Sequence, residues 1–293
     1  EKNDIIGSVS GGCIESFVFG KLLETIKTKK HSTLEFGVSN SKAWEVGLTC
    51  GGKIRLLLEY LDDKDLVTMK RINLALSKDP GMIEATRLID GKKISFKSKA
   101  TSNSENKDFS FITTGIFKKR QSLISFLNRE EWFFKSYHSK ITIVIVGAVH
   151  ISESLIDLAK TVGFETILID PRNYFDKKKF EKKAKVYNDW PDDALKKVSI
   201  NNSFAIVTLT HDPKLDDPAI EFSLNTDAFY IGCLGSVKTH ESRKKRLMKR
   251  GFKQEKIGVI NGPIGLDINA KTPAEIACAI IAQIIKHKNK YAI

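Results

Sequence analysis

The segment Ile141-Thr142-Ile143-Val144-Ile145-Val146, closed by Gly147, constrains the fold of this chain more than any other stretch. Side chains branched at Cβ suit a pleated strand better than a helix. A run with no polar alternation reads as a strand covered on both faces, the situation of parallel sheets. A helix follows over 150–162, then a second strand from Phe164 to Ile169 that ends at Asp170. Further strands are expected at 184–187, 204–209, 229–233 and 256–260, with helical stretches among them. Strand–helix alternation of this kind predicts an α/β fold, a Rossmann-like doubly wound parallel sheet, over residues 140–293.

Such a sheet gathers its ligands at the carboxyl ends of the strands. His150, Asp170, His211-Asp212, Cys233 and Gly235-Ser236 all follow expected strands, so they should share one rim. Gly147 and Asp170 fit the turn glycine and ribose-binding acid of a dinucleotide site. Val149 and Ser152 stand where the second and third glycines belong, and a valine there crowds a pyrophosphate. Binding of NAD(P), and with it an oxidoreductase reading, is therefore weakened. Each rim residue also reads as a solvated loop residue. A metal on His150, His211 and Cys233 is a weaker alternative. Gly235-Ser236-Val237-Lys238-Thr239 lacks the Gly-Lys-Ser/Thr of a phosphate loop; it suits either a phosphate contact or a helix cap.

Two cysteines nearer the start sit beside glycine pairs: Gly11-Gly12-Cys13 and Cys50-Gly51-Gly52. A helix is expected over 14–28, with Ile14, Phe17, Val18, Leu22 and Ile26 on one face and Ser10 as its N-cap. That places Cys13 in the first turn, where free backbone N–H groups and the helix dipole favour a thiolate or a bound anion. Strands at 33–38 and 54–60 complete a small N-terminal α+β unit, residues 1–62. A connecting region, 63–139, reads as a helix over 66–77 and a hairpin, 82–88 with 93–97, around Asp90-Gly91. A polar loop over 98–108 and strands at 109–114 and 131–136 follow, an antiparallel sheet without evident chemistry.

Lysine and arginine number 48 against 35 aspartates and glutamates, a formal net charge of +13. The densest lysine run, Lys177-Lys178-Lys179 with Lys182-Lys183, holds a single aromatic, Phe180, rather than the repeated interleaving of aromatics that stacks on bases, so no nucleic-acid role is read from it. No apolar run approaches the roughly 20 residues that span a bilayer, so no membrane role is read either. The four cysteines, Cys13, Cys50, Cys233 and Cys278, match no zinc spacing, and no acyl-transfer arrangement accompanies them. With no signal peptide in view, they suit a reduced, cytoplasmic setting. Cys278 is expected to be inert core in the last helix, which Thr272, Pro273 and Glu275 open with a capping box. The chain begins at Glu1 rather than Met, and upstream sequence is expected to be missing.

Six stretches together resemble the XdhC/CoxI family, accessory proteins of molybdenum hydroxylases. They are Gly7-Ser8-Val9-Ser10-Gly11-Gly12-Cys13-Ile14-Glu15, Trp44 to Gly52, Asp170-Pro171-Arg172, Leu209 to Asp217, Leu234-Gly235-Ser236 and Pro263 to Ile268. The resemblance covers both ends of the chain and little of 64–138. It implies a maturation chaperone rather than an enzyme. Such a protein binds molybdenum cofactor (molybdopterin) as cargo, holds it while a cysteine desulfurase supplies sulfur, and passes it to an apo molybdenum hydroxylase of the xanthine dehydrogenase or CO dehydrogenase type. By position, Cys13 and Cys50 would contact the metal or its sulfur, with Gly11, Gly12, Gly51 and Gly52 allowing close approach. His150, His211, Asp212, Gly235 and Ser236 would line the rim of the second domain, and a homodimer in which two chains build one site is left open. Two departures stand out: Val149 stands where the family usually has a glycine, and the family's N-terminal stretch before the Gly7 motif is expected to be absent here.

Overall fold

The computed structural model describes residues 5–10, 12, 14–37, 53–76, 81–97, 107–172 and 177–289. Its largest element is a six-stranded sheet of β7 (Thr142–Val146), β8 (Glu165–Ile169), β9 (Lys185–Tyr187), β10 (Phe204–Thr208), β11 (Tyr230–Cys233) and β12 (Ile260–Asn261). Every pairing in it is parallel. The spatial order is β12-β11-β10-β7-β8-β9. Counted from β7, this is the dinucleotide-fold order, and its direction reverses between β7 and β10.

Each residue of β7 is buried, as its unbroken apolar run requires. Ile143 and Ile145 enter a core with Leu155, Ile156, Ala205, Val207 and Ile280. Val144 and Val146 face the other way, toward Ile206, Ala194, Leu195 and Ala219. Each such side chain contributes about 1.5–3 kcal/mol on leaving water. The first core is covered by α4 (His150–Thr161) and α10 (Pro273–Asn289), which pack on each other. At the start of α10 the expected capping box is present: Glu275 N–H donates to Thr272 Oγ1 and Thr272 N–H to Glu275 Oε2.

A four-stranded antiparallel sheet precedes it, of β3 (Gly81–Arg87), β4 (Lys93–Lys97), β5 (Leu123–Leu127) and β6 (Glu130–His138), in the order β4-β3-β6-β5. Here the sequence reading needs two corrections. Residues 109–114 are not a strand but part of α3 (Lys107–Lys119). Phe109, Thr113 and Ile116 are all buried, at helical spacing, against Ile83, Ala85 and Phe134. One of the two edge strands is β5, which the sequence reading lacked. It turns into β6 through Asn128 and Arg129, both at positive φ, as a two-residue hairpin demands. The other face of the sheet meets α2 (Asp63–Leu76).

The N-terminal elements are α1 (Glu15–Thr28) and an antiparallel pair, β1 (Ser32–Phe36) with β2 (Ile54–Leu58). Ile14, Val18 and Phe36 form a small core there. In the last quarter, the strand expected at 256–260 shrinks to β12, because residues Gln254–Ile257 form a helical turn.

Candidate functional site

Gly11, Cys13, Cys50, Gly51 and Gly52 lie outside the described residues. The chain around Gly11 and Cys13 is nevertheless informative. One carboxylate, that of Glu15 at the start of α1, gathers the donors of the preceding loop. Its Oε1 accepts from Ser8 Oγ (2.5 Å), Val9 N–H (3.2 Å) and Ser10 N–H (3.0 Å). Its Oε2 accepts from Ser10 Oγ (2.8 Å), Gly12 N–H (2.9 Å) and Ile14 N–H (3.1 Å). These bonds hold the Glu15 carboxyl far below the usual carboxylate range, the Ser8 hydroxyl being the largest cause. The N–H groups of Gly12 and Ile14, expected to be free for an anion, are thus met by an internal one. Ser10 is not the N-cap: Ile14 holds that position, with no side-chain cap.

The second group of residues does converge. Gly147 follows β7, Asp170 follows β8, His211-Asp212 follow β10 and Gly235-Ser236 follow β11, so all sit on the carboxyl rim of the parallel sheet. Gly147 has φ +113°, and a Cβ there would come within 2.6 Å of the Thr210 methyl across the switch point. This glycine is required twice, by its backbone and by the closeness of the two loops. His150 begins α4 and is exposed. His211 is exposed and held at φ +63°, an uncommon conformation for a residue with a side chain. Asp212 caps α7 (Pro213–Ser223) by accepting from Lys214 N–H (2.9 Å). Ser236 caps α8 (Val237–Lys249) by accepting from Thr239 N–H (3.2 Å). Gly235 precedes it at φ +133°.

The nucleotide-type turn is closed from inside. Asp170 is fully buried. Its Oδ2 accepts from Ala148 N–H (2.7 Å) and Arg172 Nη2 (2.7 Å), and its Oδ1 from Arg172 N–H and Nε (2.9 Å each). These donors outweigh burial and hold its pKa below the ordinary value. Val149 N–H points at Ser152 Oγ (3.3 Å), and the Val149 side chain packs on the core. A ribose would have to displace Arg172, and a pyrophosphate would find the N–H groups of Ala148 and Val149 engaged. The residues at this turn do not fit NAD(P).

The cysteines divide. Cys233, at the end of β11, is wholly buried, and burial pushes its thiol up to about 11. It is no thiolate. Cys278 is exposed on α10, against the expectation of inert core. Among the described residues no group of three or more His, Cys, Asp or Glu could hold a metal ion, which disposes of the His150–His211–Cys233 alternative. No helix among them is long and apolar enough to cross a membrane.

Comparison with known proteins identifies the parallel-sheet region. A family model described as the XdhC Rossmann domain matches residues 143–284. The C-terminal half of this chain is an XdhC Rossmann domain. A Bacillus subtilis (strain 168) protein, named as one of the probable subunits of xanthine dehydrogenase, is 26% identical over 303 aligned positions, covering 100% of this chain and 87% of that protein. The molybdenum cofactor insertion chaperone PaoD of Escherichia coli (strain K12) is 22% identical, over 95% of this chain and 73% of its own length. Among solved structures, one described as a xanthine dehydrogenase from Bacillus halodurans superposes with a TM-score of 0.74 at 25% identity, over 97% of this chain and 83% of that one. The resemblance seen in the motifs therefore extends through the middle of the chain, where the sequence carried little sign of it.

Sequence reasoning passed over several residues that shape this rim. Asp216 and Asp217 stand in the Leu209–Asp217 stretch but carried no assigned role, and both are buried. Arg243, one cation among many in α8, is also buried. Asp217 receives Arg246 through two bonds (2.7 and 2.9 Å). The available signal was position: Asp216 falls one helical turn after the cap Asp212. Nothing in the sequence separates Arg243 from its neighbouring cations.

Proposed function

We propose that this chain is a maturation factor that binds molybdenum cofactor as cargo and delivers it to an apo-hydroxylase of the xanthine dehydrogenase type. The observation that carries the reading is a nucleotide fold whose nucleotide turn is filled by its own Asp170 and Arg172, in a chain alike over 95% of its length to a molybdenum cofactor insertion chaperone. A Rossmann rim closed to NAD(P) but lined by polar groups suits a holder of some other anionic guest. In this reading Cys13 and Cys50 supply soft donors to the metal or its sulfur. Gly11, Gly12, Gly51 and Gly52 allow the approach. The rim of His150, His211, Asp212, Gly235 and Ser236, built on Gly147 and Asp170, faces the rest of the cargo. A cysteine desulfurase adds the terminal sulfur while the cofactor is held.

The test is purification of the chain from cells that make the cofactor, with molybdenum and pterin measured on the protein. Stoichiometric content is expected, reduced in Cys13→Ala and lost in the Cys13→Ala, Cys50→Ala double variant. A double variant that loads normally removes the thiols from the site, and wild-type protein free of both molybdenum and pterin removes the function.

A further inference from the structure

Beneath the rim lie two buried charges that no part of the reading above uses. Asp216 on α7 is 1% exposed and Arg243 on α8 is 2% exposed. Their nearest approach, Arg243 Nη2 to Asp216 Oδ2, is 3.9 Å, too long for a hydrogen bond. Asp216 Oδ2 and Arg243 Nε have no hydrogen-bond partner among the described residues. Burial raises the pKa of Asp216 above the ordinary carboxylate value. A pair this poorly matched is a cost to the fold, and apolar side chains of similar volume serve stability as well or better. Its partners indicate another use.

Each of the two holds a different rim loop. Thr210 Oγ1 donates to Asp216 Oδ1 (2.7 Å) and accepts from Asp212 N–H (3.0 Å). This short relay closes the chain over His211, the residue at φ +63°. The methyl of the same Thr210 lies against Gly147, so the β7 loop is fixed with it. Arg243 Nη2 donates to Leu234 O (2.9 Å), immediately before Gly235-Ser236. One turn earlier on α8, the His240 ring lies where a Cβ of Gly262 would be, and its Nδ1 is 3.4 Å from Arg243 Nη1. The loops after β7, β10, β11 and β12 therefore all meet the Asp216–Arg243 pair or the residues it holds.

We propose that Asp216 and Arg243 are positioning residues: the pair sets the spacing of the His211 loop against the Gly235-Ser236 loop across the switch point. The link to cargo rests on the rim being part of the cofactor site; the link to loop geometry does not. A double-mutant cycle separates positioning from mere stability. Asp216→Asn or Arg243→Met alone leaves one buried charge unmatched and should lower Tm sharply. The double variant removes both charges and should recover Tm. It is nevertheless expected to hold cofactor about tenfold more weakly, the scale on which supporting partners of a site act. Hydrogen exchange on cofactor-free protein should show faster amides at 210–212 and 234–236, with the β7 core at wild-type rates. If the double variant fails to fold, Thr210→Val and Thr210→Ser carry the test. Valine should free the His211 loop and serine, which keeps the hydroxyl, should not. Wild-type loop exchange in the folded double variant, or equal exchange in the two Thr210 variants, overturns the proposal. Failure of the wild-type chain to take up cofactor would overturn the proposed function and leave the exchange result standing.

Discussion

A strand of the parallel sheet ends in a buried carboxylate and a strand of the antiparallel sheet carries another, and these two acids are treated in opposite ways. Asp170, at the end of β8, receives four hydrogen bonds from Ala148 and Arg172. Glu84, in the middle of β3, is 7% exposed, and its carboxylate accepts no hydrogen bond from a described residue. Lys93, the first of the charges that temper its burial, is drawn instead to Glu59 (3.1 Å) and Asp65 (3.2 Å). The pKa of Asp170 is lowered; that of Glu84 is raised, burial being the largest cause. A buried acid with its donors arranged is an anchor; one without them is a standing cost. The anchor sits at the rim, where the geometry of loops matters. The cost sits under α2, in the region whose sequence showed no chemistry.

Substitutions can break this contrast. Asp170→Ala should have the largest effect, about 3 kcal/mol of lost stability in urea unfolding, since it strands both Ala148 N–H and the Arg172 guanidinium. A loss near zero would make Asp170 a free ligand rather than an anchor. Gly147→Ala, at the turn that Asp170 closes, should cost about 2 kcal/mol through its positive φ and its collision with Thr210. Glu84→Gln should go the other way, gaining up to about 1 kcal/mol at neutral pH, because the charge and not the shape is the burden. A clear loss on that substitution would mean that Glu84 is paired in solution.

The pH dependence is the smallest effect and sharpens the signs. The folded state binds the Glu84 proton more tightly than the unfolded state. Its contribution therefore favours folding below the ordinary carboxylate range and is lost as pH rises through the raised value. Asp170, with a depressed folded pKa, contributes stability above the ordinary range that is lost as pH falls through the lowered value. Stability curves of Glu84→Gln and Asp170→Asn against wild type should diverge with opposite slopes. Parallel curves would contradict the assignment.

The same contrast explains what the sequence could reveal. The β-branched run at 141–146 has one structural solution, so the parallel sheet and the positions of Gly147, Asp170, His211 and Gly235 along its rim were legible. At 109–116, phenylalanine, isoleucine and threonine favour strands locally. Only the burial of Phe109, Thr113 and Ile116 against β3 and β6 makes the segment a helix, and that is tertiary information. The β5–β6 turn was hidden because Arg129 occupies a left-handed position that glycine usually marks. Partnership was the least legible property. Asp170 reads as a ribose ligand until Arg172, two residues on, is seen folded back onto it. The loop before α1 reads as an anion site until Glu15 is seen filling it.

The central claim is that the chain carries molybdenum cofactor to an enzyme. Its most direct test is transfer: cofactor-loaded chain, freed of unbound cofactor, is mixed with a cofactor-free xanthine dehydrogenase-type apo-hydroxylase. Hydroxylase activity should appear as molybdenum leaves the chain and enters the enzyme, faster than with the same amount of free cofactor. Activation no faster than with free cofactor, with molybdenum remaining on the chain, would contradict the account.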